Sequence, residues 1–160
     1  MQITRTADYG VRVMTHLAMR PHGARLTVEA LADESDASAA FVGKILQRLV
    51  GARLVVSHRG YAGGFELARA ASSISMLDIV SALEGPLCLN ACLPGGAGCD
   101  RQAWCGAHDV WANAQSALAS VLAAESLEGL AATATRNCAR LTAAAQVPFA
   151  SVGAVPADAQ

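Results

Sequence analysis

Residues 27–51 carry the stretch TVEALADESDASAAFVGKILQRLVG, in which two segments with apolar residues at helical spacing flank a short polar break. The spacing predicts a helix over Val28–Glu34, with Thr27 as its N-cap. Ser38 is a suitable N-cap for a second helix that runs to Gly51. Two helices joined by a tight turn form a helix-turn-helix, so this stretch predicts that motif.

A β-hairpin is predicted directly after the second of these helices. Leu54–Ser57 has the composition of a strand, Arg59–Gly64 is rich in turn residues, and Phe65–Ala68 has the pattern of a returning strand. Such a hairpin beside a helix-turn-helix is a wing.

Two further helices complete the predicted head. Apolar residues recur at helical spacing over Thr6–Met19, and Ser75 caps a helix that Gly85 ends. The chain therefore predicts a mainly α fold with a small β-hairpin, in which residues 1–85 form a winged helix-turn-helix domain.

The remaining chain divides into three parts. Residues 86–107 form a cysteine-rich loop, and His108–Ala124 is predicted as a long dimerisation helix. A short capping helix begins at Ser126, so that helical structure covers 108–140, and the tail 141–160 is expected to be flexible. Too little chain remains to cover the apolar face of the long helix, which predicts a homodimer. That face consists of Val110, Trp111, Ala114, Leu118, Val121 and Leu122.

Composition limits the class of protein. The chain has 160 residues, of which 53% are hydrophobic and 16% charged, so it can bury a core. It has no apolar run of transmembrane length and no signal-peptide pattern at its start, so we expect a cytoplasmic protein without a membrane partner. The net charge is −1, but Ala39–Arg69 holds five basic side chains against one acid, Glu66. This local excess predicts contact with nucleic acid.

Three thiols and an imidazole follow the predicted head at close spacing: Cys92, Cys99, Cys105 and His108. The gaps of six and five residues are wider than those of most zinc knuckles, which favours an iron–sulfur cluster over a single zinc ion. Zinc and reduced thiols without metal remain the alternatives. The chain has no Cys-x-x-Cys, nucleotide loop or paired-carboxylate site, so nothing predicts an enzyme.

Several separate stretches together resemble one family of regulators. They are residues 3–12 (ITRTADYGVR), 44–49 (KILQRL), 54–69 (LVVSHRGYAGGFELAR) and 74–85 (ISMLDIVSALEG), with the three cysteines. From residue 1 to about 125 the chain resembles the Rrf-two (Rrf2) superfamily of bacterial transcription regulators, which includes the iron–sulfur proteins IscR, NsrR and RirA.

The resemblance implies a cofactor and its ligands. Cys92, Cys99 and Cys105 would hold an iron–sulfur cluster, with 4Fe–4S favoured and 2Fe–2S possible. Asp8, at the place where some NsrR proteins use an aspartate from the other subunit, and His108, which resembles the IscR histidine, are both candidates for the fourth ligand. The implied function is a regulator, expected to be a repressor, that responds to nitric oxide, redox or iron–sulfur status. A cluster-free regulator responding to thiols or small molecules is the alternative.

The resemblance also implies double-stranded DNA as the partner, with an imperfect palindrome as the operator. The recognition helix and the wing would make the contacts, with Arg59 at the minor groove. The candidate DNA-binding residues are Thr27, Ser38, Ala40, Phe41, Lys44, Arg48, Arg59, Gly60, Gly63 and Gly64.

Overall fold

The computed structural model describes residues 4–60 and 63–145. Six α-helices and one two-stranded antiparallel sheet make up the fold in this part of the chain. The mainly α class with a small hairpin is therefore confirmed. The elements are α1 (Arg5–Ala18), α2 (Val28–Ser35), α3 (Ala39–Gly51), β1 (Val55–His58), β2 (Gly64–Leu67), α4 (Met76–Glu84), α5 (His108–Ala124) and α6 (Leu127–Ala145).

Hydroxyl caps set the starts of the first three helices of the head. The Thr4 hydroxyl oxygen accepts hydrogen bonds from the first turn of α1, Thr27 accepts from Ala30, and Ser38 accepts from Phe41. These oxygens satisfy backbone N–H groups that have no partner inside the helix. The two caps predicted at Thr27 and Ser38 are thus confirmed.

The turn between α2 and α3 depends on one residue in the left-handed region. Asp36 has φ 52° and ψ 53° and ends α2, and its backbone N–H donates to the carbonyl oxygen of Asp33 at 3.2 Å. Aspartate tolerates this conformation better than most side chains. The chain therefore reverses within the segment 36–38, and α3 begins at once.

One hydrophobic core joins α1, α2, α3, α4 and the base of the hairpin. Leu127 of α6 is completely buried in the same cluster, so the last helix is part of this core. The fully buried side chains include Met14, Leu31, Ile45, Leu46, Leu49, Ile74, Ile79 and Leu83. Burial of each such side chain stabilises the fold by about 1.5–3 kcal/mol before entropy is counted.

Helices α1 and α4 approach each other closely at Gly10. A Cβ atom placed on Gly10 would lie 2.0 Å from Cδ1 of Leu83, whose side chain is completely buried. The Thr4 hydroxyl also donates to the Glu84 carboxylate at the end of α4. A larger residue at position 10 would displace the buried Leu83 side chain from its place in the core.

The hairpin has a fixed antiparallel register. Val55 pairs with Leu67 and His58 with Gly64. A Cβ atom on Gly63 would lie 2.5 Å from the His58 carbonyl oxygen, and Gly64 has φ +144°. Since both positions exclude side chains for local backbone reasons, the glycines define where the wing turns back.

The C-terminal part differs from the sequence-based expectation in one respect. Helix α5 has the predicted bounds, but α6 is a helix of 19 residues rather than a short cap. It continues through Ala145, so the first five residues of the segment expected as a flexible tail, 141–145, are helical. Residues 146–160 lie outside the described part of the chain. Helix α6 packs along α1 because Leu127 and Ala131 reach the core there.

Helix α4 begins with a capping box. The Ser75 hydroxyl oxygen accepts from the Asp78 N–H, and the Asp78 carboxylate accepts from the Ser75 N–H at 3.0 Å. Arg69 donates to the same carboxylate at 3.1 Å. The Ser75 backbone hydrogen bond, with smaller contributions from the Ser75 hydroxyl and the Arg69 charge, outweighs partial burial and lowers the pKa of Asp78.

We expect Gly10→Ala to lower the free energy of unfolding by about 1–2 kcal/mol, because overpacking against Leu83 outweighs the gain in helix propensity. Gly51→Ala is the matched control, since nothing lies within 4 Å of a Cβ at Gly51. It should stabilise the fold by about 0.5–1 kcal/mol. Urea unfolding at one protein concentration measures both, and equal effects would contradict the close helix contact.

We expect Asp78→Asn to destabilise the fold by about 0.5–1 kcal/mol near neutral pH, because the capping box is weakened. The lowered pKa means that ionised Asp78 stabilises the folded state above the ordinary aspartate pKa, about 3.9. This stabilisation is lost as the pH falls through the lowered value. Unfolding measured at about pH 6 and about pH 3 should show the difference between wild type and variant shrinking at acid pH. A difference independent of pH would contradict this assignment.

Candidate nucleic-acid interface and cysteine segment

The exposed face of α3 brings most of the predicted recognition residues together. Ser38, Ala40, Lys44 and Arg48 are exposed, while the opposite face is buried in the core. Neither Lys44 nor Arg48 forms an ion pair with any described residue. Two free cations and small side chains at the helix start suit entry into a DNA groove.

Phe41 occupies a different place from its neighbours on α3. Its ring is half-buried and meets the ring of Tyr9 edge to face, with centroids 5.4 Å apart and an angle of 77°. The guanidinium of Arg12 lies 4.9 Å from the centroid of the same Tyr9 ring. Phe41 therefore joins α3 to α1 and offers DNA only an apolar edge.

The wing carries a positive charge at its tip. Arg59 and Gly60 are exposed. Within the hairpin, the Glu66 carboxylate pairs with His58 at 2.8 Å and with Arg25 at 3.3 Å. The hydrogen bond from His58, followed by that from Arg25, lowers the pKa of Glu66. Glu66, the one acidic residue in Ala39–Arg69, is thus already paired. Arg59 has no ion pair with any described residue.

Thr27 lies at the start of α2 and is exposed. Its oxygen accepts from the Ala30 N–H at 3.2 Å. A hydroxyl that accepts can still donate, so Thr27 retains a proton for a phosphate oxygen.

The cysteine segment is anchored at two points. Leu93 is buried, and the Leu89 N–H donates to the side-chain oxygen of Gln115 on α5 at 2.9 Å. Between these anchors and α5 the backbone forms successive turns, with Gly95 and Gly98 at φ +90° and +92°. The segment therefore follows a defined path beside α5.

The thiols of the segment are free and accessible. Cys99 is exposed, and Cys92 and Cys105 are partly exposed. Cys88, also partly exposed, donates its thiol hydrogen to the Asn90 carbonyl oxygen at 3.1 Å, and Cys138 lies apart on α6. Structural cysteines are usually buried, so this exposure suits ligation or redox chemistry better than packing.

His108 is placed beside Cys105 by the turn that begins α5. The His108 N–H donates to the Cys105 carbonyl oxygen at 3.0 Å. Its ring Nδ1 is buried and has no hydrogen-bond partner among the described residues. A buried imidazole nitrogen without a partner is costly, and a metal ligand bond is one way to satisfy it.

Asp8 lies on the first turn of α1, more than eighty residues before Cys92 in the sequence. Its carboxylate pairs with Arg12 of the same helix at 2.8 Å, and both side chains are half exposed. An exposed pair at this spacing contributes only about 0.3–0.5 kcal/mol, so a stronger ligand bond would displace it.

The donor set fits a soft metal, but the single chain does not bring its members together. Three thiols and an unpartnered imidazole nitrogen are the donors that iron–sulfur clusters use. Among the described residues, no three His, Cys, Asp or Glu side chains are grouped closely enough to hold a metal ion. Ligation by this set requires the cysteine segment to close or a second chain to contribute.

Two features of the site were not predicted from the sequence. Trp104 is 73% exposed in a short 3₁₀ turn directly before Cys105, with Arg101 6.0 Å from its ring centroid. Arg5 at the start of α1 lies beside Ser38 of the recognition helix in a shared cavity. The local sequence predicts neither feature, because the exposure of Trp104 and the position of Arg5 beside Ser38 depend on how the chain folds.

The comparison with family models decides the class of this protein. Residues 3–133 match the model of the Rrf2 family, described as iron-dependent transcriptional regulators. The chain belongs to the Rrf2 family. The family's model describes transcriptional regulators, and the helices and the β-hairpin of the described residues form a winged-helix fold.

Curated Rrf2-type relatives are of limited similarity. The chain is 39% identical over 87 residues to a Mycobacterium tuberculosis protein named as an HTH-type transcriptional regulator, a match that spans 54% of each chain. It is 28% identical over 130 residues to a Neisseria meningitidis protein of the same description, covering 81% of this chain and 87% of the relative. The chain thus matches only about half the length of the mycobacterial relative.

Solved structures share the fold at low identity. CymR, the global cysteine regulator of B. subtilis, superposes with a TM-score of 0.70 at 28% identity, covering 83% of this chain and 98% of CymR. IscR of T. potens superposes with a TM-score of 0.68 at 25% identity, covering 84% and 88%. Within the described residues, no helix is both long and apolar enough to span a membrane.

Proposed function

We propose that this Rrf2 regulator senses its signal through an iron–sulfur cluster held by Cys92, Cys99 and Cys105. The observation that carries the proposal is that three accessible thiols lie in the segment leading to α5, whose first residue, His108, has a buried Nδ1 without a partner among the described residues. These are soft donors in a segment with glycine-dependent turns, and they lie outside the hydrophobic core.

DNA reading is assigned to α3 and the wing. Lys44 and Arg48 would contact base edges or phosphates from the exposed face of α3, and Arg59 would reach the minor groove. Ser38 and Ala40 are small and exposed at the helix start, where the backbone would approach the major groove. Thr27 and the wing glycines, Gly60, Gly63 and Gly64, would complete this surface.

A homodimer is proposed through α5. Val110, Ala114, Ala117 and Val121 lie at helical spacing on one exposed face, and Val110 and Val121 are 64% and 67% exposed. From position 110 to 124 the helix has no charged residue. Such a face favours a second copy of the chain, which would place two recognition helices about 34 Å apart on a palindrome.

Asp8 of the partner subunit or His108 of the same subunit is proposed as the fourth ligand. His108 has an unsatisfied ring nitrogen in place. Asp8 would have to leave Arg12, which costs little for an exposed pair. An oxygen or nitrogen donor at one position leaves that iron more labile than thiolate does, which suits sensing of nitric oxide, redox state or iron–sulfur supply.

The chain's own contacts provide a route from the ligands to DNA. Asp8 is on α1, and the adjacent Tyr9 ring packs edge to face on Phe41 of the recognition helix. A ligand bond from Asp8 to the cluster of the other subunit would fix the position of α1. Through the contact of Tyr9 with Phe41 it would also fix the position of α3. A free-energy difference of about 3 kcal/mol between the tied and released states would change DNA affinity roughly a hundredfold.

The second candidate is a cluster-free regulator that responds through its thiols. Two observations favour it: no three metal donors are grouped in the described chain, and CymR, a cysteine regulator, shares the fold. In this case the exposed Cys99 would be the expected reactive thiol.

We expect the anaerobically purified protein to carry a broad visible absorption band with up to four irons and four sulfides per subunit. Nitric oxide should remove the band. Cys99→Ala should abolish cluster binding, because each thiolate is required, whereas Cys138→Ala on α6 should leave it intact. Absorption spectra and native mass spectrometry measure these outcomes. A colourless, metal-free protein after reconstitution would favour the thiol-based alternative.

Variants at the fourth position separate the two ligand candidates. If His108 is the ligand, His108→Ala should make the band labile and Asp8→Ala should not. The reverse result would assign the ligand to Asp8.

Wild-type protein with and without the cluster should bind one operator with affinities that differ roughly a hundredfold at fixed salt. Equal affinities would overturn the sensing mechanism.

We expect Val121→Glu to shift the protein from dimer toward monomer, because a charge would be buried in an apolar interface. Ser116→Glu is the matched control, since Ser116 is exposed on α5 but lies outside the apolar stripe. Analytical ultracentrifugation over a concentration series measures both variants. If Val121→Glu stays as dimeric as Ser116→Glu, α5 is not the interface.

A further inference from the structure

A cavity lies where the start of α1 meets the start of the recognition helix. Its volume is about 270 Å³, and its lining residues are Arg5, Tyr9, Ala37, Ser38 and Phe41. Arg5 and Tyr9 come from α1, whereas Ser38 is the N-cap of α3. The cavity is large enough for one phosphate group with its water.

The three polar residues that line this cavity, Arg5, Tyr9 and Ser38, each carry a group that can donate hydrogen bonds. Arg5 is exposed and forms no ion pair or hydrogen bond with any described residue. No described residue hydrogen bonds to the hydroxyl of Tyr9 either. The Ser38 oxygen accepts from the Phe41 N–H at 3.3 Å and keeps its hydroxyl proton to donate.

The acidic residues nearest in sequence do not line the cavity. Asp8 is held by Arg12 at 2.8 Å, and Arg12 in turn lies over the Tyr9 ring. Asp36 ends α2 in the left-handed conformation and is also absent from the lining. A guanidinium and two hydroxyls without a carboxylate form a site for an anion.

The position of the cavity identifies which anion would reach it. Ser38 belongs both to the cavity lining and to the exposed start of α3. A DNA duplex whose groove receives α3 must carry its backbone past that end of the helix. In that arrangement the polyanionic backbone would pass close to the cavity.

We propose that Arg5, Tyr9 and Ser38 form a binding site for a DNA backbone phosphate, separate from the contacts of Lys44, Arg48 and the wing. Arg5 supplies the charge, and the two hydroxyls orient the phosphate oxygens. This contact carries no sequence information and fixes the register of α3 in the groove. The inference rests on the proposed role of α3 as the DNA-reading helix.

The test measures the salt dependence of binding to a random-sequence duplex of about 30 base pairs by fluorescence anisotropy. We expect Arg5→Ala to reduce the slope of log K against log salt by about 0.9 per subunit, or about 1.8 for a dimer. Tyr9→Phe should weaken binding severalfold and leave the slope unchanged, because it removes a hydroxyl and no charge.

Arg140→Ala is the matched control. Arg140 is exposed on α6, which packs near the other end of α1 around Ala18. It should leave the slope unchanged. Equal slopes for Arg5→Ala and Arg140→Ala would overturn the phosphate site, and circular dichroism melting checks that both variants are folded.

Two further arms separate the possible failures. Lys44→Ala should reduce the slope of log K against log salt if α3 reads DNA. If the slope falls in Lys44→Ala but not in Arg5→Ala, only the phosphate site is overturned. No change in Lys44→Ala would contradict the role of α3 itself. Calorimetry with inorganic phosphate identifies a free-anion site: phosphate binding that Arg5→Ala abolishes while DNA binding is unchanged would also overturn the proposal.

Discussion

The close approach of α1 and α4 at Gly10 is the constraint on which the rest of the structure depends. Because Leu83 fills the space where a Cβ of residue 10 would lie, the two helices behave as one packed unit. Helix α1 carries Asp8 and Tyr9 toward α3, and α4 leads through Gly85 into the cysteine segment. This contact joins the helix that carries Asp8 to the helix that leads into the cysteine segment.

That arrangement explains how a small chemical event could act on DNA binding. The Asp8–Arg12 pair is exposed and weak, whereas Tyr9, Phe41 and the core around them are packed. A change of partner for Asp8 would thus cost little locally, and Asp8 lies on a helix that is packed against α3 through Tyr9 and Phe41. The same end of α1 carries Arg5 of the proposed phosphate site, so the proposed ligand Asp8 and the proposed backbone contact lie on one helix.

The division of roles along α5 and α6 follows from their surfaces. Leu122 of α5 is buried, but the adjacent stripe with Val110 and Val121 is exposed in the single chain and has no charged residue. Helix α6 does not cover this stripe, because Leu127 and Ala131 direct it to α1. The single chain satisfies its core and leaves one apolar face for a partner.

The sequence by itself determined the local elements of this protein, because caps, turn glycines and apolar spacing are encoded by neighbouring residues. Thr27, Ser38 and Ser75 marked helix starts correctly, and the wing and α5 lie where the pattern predicted. Only the tertiary structure decided the length and packing of α6, the contact of Tyr9 with Phe41, and the cavity between Arg5 and Ser38. The cavity joins residues more than thirty positions apart in the sequence, and no local pattern encodes such a contact. Whether the three thiols come together also depends on how distant parts of the chain pack.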